Sequence, residues 1–145
     1  MNIERFMTTV MCDDVRREEG NKLSYLGIYS GSIIVPDFPV TLPKLCFVAS
    51  LSCPGHQELP KSLKFLVLKN EEIMAEVVIS EAVLENVRRQ CESVDESDSK
   101  RLTIGTVFQI FPLQLAEECL LKARAICDEE EIKGGSWPVE RVRKA

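Results

Sequence analysis

The sequence predicts a mainly β fold, an antiparallel β-sandwich of eight or nine strands with one short helix, occupying residues 1–145 as a single domain. Three observations predict it. Short runs of β-branched, aromatic and aliphatic residues recur about every ten positions, clusters of Gly, Pro, Asn and Asp punctuate them, and no regular alternation of strand and helix signals appears. A barrel is the alternative closure.

The first strand is expected at Met7 to Val15, where Thr, Val and Met predominate, and the second at Leu23 to Tyr29. Glu19-Gly20-Asn21-Lys22 joins them, with residues that tolerate positive φ. Ser32 to Val35 is a short β-branched run that Pro36 must end or confine to an edge, because proline cannot donate to a ladder. Asp37-Phe38-Pro39 turns the chain. After Pro43, Leu45, Phe47, Ala49 and Leu51 fall on one face and Cys46, Val48 and Ser50 on the other, the pattern of a largely buried central strand.

Cys53 to Pro60, with two prolines and a glycine, reads as a loop with His56 at its tip. Ser62–Leu68 and Ile73–Ile79 flank Lys69-Asn70-Glu71-Glu72 and form a second hairpin. Ser80 then caps a helix from Glu81 to about Gln90, with Val83, Leu84 and Val87 on one stripe. Cys91 to Lys100 is polar and acidic, a long loop. Leu102 to Phe111 is again β-rich. In Leu120 to Cys127, Leu121, Ala123, Ala125 and Cys127 alternate with Lys122 and Arg124, so one face is buried and one wet. Asp128 to Glu131 supplies a turn, Gly134-Gly135 relaxes the backbone, and Trp137 to Val142 closes the sheet.

Composition narrows the function classes. A net charge of −5 disfavours general nucleic-acid binding, since phosphate contacts need clustered Lys and Arg, and the basic stretch Arg141 to Lys144 reads as a solvated tail. No segment is long and apolar enough to span a bilayer, and the N-terminus lacks a secretion signal, so a cytoplasmic, membrane-free location is expected. The six cysteines contain no CxxC pair and are expected as buried small hydrophobes. A single histidine, with no phosphate loop, no GxSxG and no HExxH, leaves no catalytic residue, no cofactor and no metal centre to assign.

The strongest polar constellation is Asp13-Asp14 with Glu18 and Glu19. Neighbouring strand residues point to opposite faces, so the two aspartates cannot share a cation without a bulge. The plainer expectation is a strand end, with these aspartates accepting hydrogen bonds from the backbone or Arg16. Glu92, Asp95, Glu96 and Asp98 lack the glycine and terminal glutamate of a calcium loop, and they are assigned instead to partner binding.

The pattern CDDVRxExGNKLSxxGIYxG, followed by VPxFPVxLPKL, resembles an uncharacterised family of small bacterial and phage-borne proteins carrying a domain of unknown function. That resemblance implies an immunoglobulin-like or related β-sandwich and brings no activity with it. With no catalytic motif to assign, a non-enzymatic protein-binding or adaptor module is the leading expectation, and the phage association implied by the resemblance gives it a specific form, a phage-encoded inhibitor of host defence such as an anti-CRISPR protein. The alternatives are a metal- or small-ligand-binding enzyme using Asp13, Asp14 and Glu18 or Glu19, and a structural subunit that forms homo-oligomers through an exposed sheet edge.

Overall fold

A computed structural model describes residues 5–54, 59–91 and 101–143. Among these, the chain forms eleven strands and one helix: β1 (Phe6–Glu18), β2 (Lys22–Ile28), β3 (Ile33–Val35), β4 (Val40–Leu42), β5 (Leu45–Pro54), β6 (Leu63–Lys69), β7 (Glu72–Val78), α1 (Glu81–Cys91), β8 (Arg101–Ile110), β9 (Leu113–Leu115), β10 (Cys119–Cys127) and β11 (Glu130–Arg141). The mainly β class holds. The expected count of eight or nine strands is corrected to eleven.

The added strands are β4 and β9, which pair only with each other. Each has three residues and sits beside Pro39 and Pro43 or Pro112, too short to show an alternating pattern. A four-stranded sheet runs β2-β1-β5-β8, and a five-stranded sheet runs β3-β11-β10-β6-β7. The expected purely antiparallel arrangement is also corrected, because β3 pairs with β11 in parallel. Ile33 to Val35 is an edge strand, as Pro36 requires.

Both larger sheets contribute to one apolar core. Met7 and Met11 of β1, Phe47 and Leu51 of β5 and Ile104 of β8 join Phe65, Leu121, Trp137 and Val139 of the other sheet. Phe47 stacks on Phe108, with ring centroids 5.2 Å apart. β1 and β11 approach closely at Gly134, where a side-chain Cβ would run into Met7 Sδ and lie 2.8 Å from Thr9 Oγ1. Gly134-Gly135 therefore does not end a strand. It lies within β11, beside the register shift at Ala123/Arg124, and lets a twelve-residue strand pass over β1.

The helix begins where Ser80 Oγ accepts the Val83 N–H at 3.3 Å. Leu84 is buried in the core and Val87 packs against it. Val83, expected on the same stripe, instead faces solvent. Three residues C-terminal to the cap, its position falls on the far side of the first turn from the sheet.

Candidate functional site

The acidic constellation resolves into separate structural contacts. Met11 is buried in the core, so Asp13 takes the inward face of β1 and Asp14 the outward face. Asp13 extends across Gly27 of β2 and accepts a 2.6 Å hydrogen bond from the Tyr29 hydroxyl. Gly27 has φ +67°, and any Cβ there would collide with that carboxylate. Burial, followed by the bond to Asp13, pushes the Tyr29 hydroxyl from 10.0 to about 12.

Asp14 Oδ1 accepts a 2.6 Å bond from Lys44 Nζ and a 3.0 Å bond from the Val15 N–H. Arg16 Nε lies 3.6 Å from its other oxygen. The Lys44 hydrogen bond holds the Asp14 carboxyl below its ordinary value. Arg16 was legible from the sequence, whereas Lys44, thirty residues away, reaches Asp14 only through the pairing of β1 with β5. Glu18 ends β1 and Glu19 lies in the exposed turn, so the four acids do not converge. Among the described residues no group of three or more His, Cys, Asp or Glu side chains is placed to hold a metal ion.

β1 pairs with β5 along Phe6–Cys12 and with β2 along Cys12–Glu18, so only Cys12 is paired on both sides. The hairpin tip, Val15–Glu18 with Lys22–Tyr25, projects beyond β5 as a two-stranded ribbon.

A surface that the sequence reading did not single out lies on the outward face of the four-stranded sheet. Its register aligns Ile28, Cys12, Cys46 and Gln109 across four strands, and Val10, Val48 and Val107 across the next row, but Cys12, Cys46 and Val48 are buried, so the apolar side chains open to solvent are those of β2. Leu26 sits opposite Asp14 and is 41% exposed, and Ile28 is 55% exposed. Charge is confined to the ends of this face. Lys44, Asp14 and Arg16 mark one end, and at the other the Arg101 guanidinium lies 4.7 Å over the Phe6 ring and donates to Ser52 Oγ at 2.8 Å.

The five-stranded sheet presents a mixed outward face, on which Ile73 and Val78 are exposed beside charged side chains. Its outward face is crossed by ion pairs, Lys122–Glu71 at 2.7 Å, Arg124–Glu131 at 3.3 Å and Lys64–Glu76 at 3.7 Å, as a solvated face should be. The signal for the apolar face was present in the sequence. Cys46 and Val48 make both faces of β5 apolar, but only the register shows that Val10, Ile28 and Val107 extend the same surface.

Other candidates are occupied by structure. Burial pushes the thiols of Cys12, Cys46, Cys119 and Cys127 above their ordinary value, which keeps them protonated and poorly nucleophilic. A depression of about 450 Å³ is lined by Arg5, Leu59, Lys61, Ser62, Asp128 and Glu129. Its central carboxylate, Asp128, already accepts the N–H groups of Lys61 and Ser62 at 2.8 and 3.0 Å. His56 and the assigned partner-binding residues Glu92, Asp95, Glu96 and Asp98 lie outside the described residues.

The model of the Family of unknown function (DUF6941) matches residues 7–140. The chain belongs to this family. No curated protein and no solved structure matches it. The DUF6941 match begins in β1 and ends in β11, so it includes both larger sheets and the apolar outward face. Among the described residues no helix of this DUF6941 member is long and apolar enough to cross a membrane.

Proposed function

We propose that this protein is a non-enzymatic protein-binding module whose two larger sheets are the layers of an immunoglobulin-like β-sandwich and whose contact surface is the outward face of the four-stranded sheet. The sandwich reading is supported by the single core to which both sheets contribute. One observation carries the binding reading: Leu26 and Ile28 are exposed side by side on this face, at the end of β2 that carries no charged residue. Exposed aliphatic side chains beside the charged Asp14, Lys44 and Arg16 suit the core and polar rim of a protein interface.

Catalysis draws no comparable support, since Asp13 and Asp14 point to opposite faces and each is engaged by a partner side chain. Inhibition of a host-defence protein is a narrower form of the same module, and the acidic balance of the chain suits a partner with a basic surface. The test is affinity capture with three baits: the wild type, Ile28→Lys, and Lys122→Glu on the opposite sheet. A partner retained by the wild type and Lys122→Glu but lost with Ile28→Lys is the expected result. A partner retained equally by all three overturns the assignment of the face.

A further inference from the structure

We draw no further inference here: the strongest candidate, the exposed apolar patch of Leu26 and Ile28 on β2, a free edge of the four-stranded sheet, belongs to the surface already described, and nothing in the structure shows what covers it.

Discussion

The Tyr29 hydroxyl and the Asp13 carboxylate meet at 2.6 Å across Gly27, a residue with no side chain to separate them. This contact ties the end of β2 to β1 just beyond Cys12, the last residue that β1 pairs with β5. It also engages one of the two neighbouring aspartates in a contact within the fold.

Tyr29 should ionise at about 12 in the folded protein, against an ordinary value of 10.0. The folded state then holds a proton that the unfolded chain has released, so the stabilisation is complete below about pH 10 and is lost as the pH rises toward 12. Ultraviolet titration should show one tyrosine ionising near 12, and Tyr29→Phe should remove that transition while costing about 1 kcal/mol. A wild-type titration with no such late transition contradicts the contact.

Gly27→Ala should destabilise by about 2 kcal/mol or more. The alanine must adopt φ +67° and its Cβ meets the Asp13 carboxylate, so backbone strain adds to a steric clash. Urea denaturation measures it. A loss below about half a kcal/mol would place Asp13 elsewhere.

Lys44→Met should let the Asp14 carboxyl rise toward its ordinary value, since the Lys44 hydrogen bond is the largest influence holding it down. A depressed carboxyl stabilises the fold above its unfolded value of 3.8, and that contribution disappears as the pH falls through the folded value. Both groups are open to water, so the effect on stability is small and the carboxyl titration followed by NMR is the readout. An unchanged Asp14 titration removes Lys44 from the account.

Gly134→Ala should cost about 1–3 kcal/mol by forcing a methyl group against Met7 and Thr9 where the sheets approach. Met7→Ala opens that space, so the double variant should be less destabilised than the two single effects combined. Strict additivity would mean that Met7 does not fill the gap beneath β11.

How far the sequence discloses the fold depends on how local each signal is. The β1–β2 turn, the edge position forced by Pro36, the alternation of Leu121 to Cys127 and the Ser80 cap are written within a few residues and appear as expected. β4 and β9 are not, because three residues beside a proline carry no period. Lys44 beside Asp14, and Ile28 in line with Cys12 and Cys46, depend on strand register between distant segments, which no local pattern encodes. For that reason the acidic cluster drew attention first, whereas the apolar face emerged only once the strands were aligned.

Amide hydrogen exchange, followed by peptide in the protein alone and in the complex recovered by affinity capture, tests the contact surface most directly. The account predicts exchange that slows in the complex along Lys22–Ile28, and a slowing that Ile28→Lys abolishes. Exchange unchanged by the partner, or slowing that falls on the five-stranded sheet instead, would contradict it.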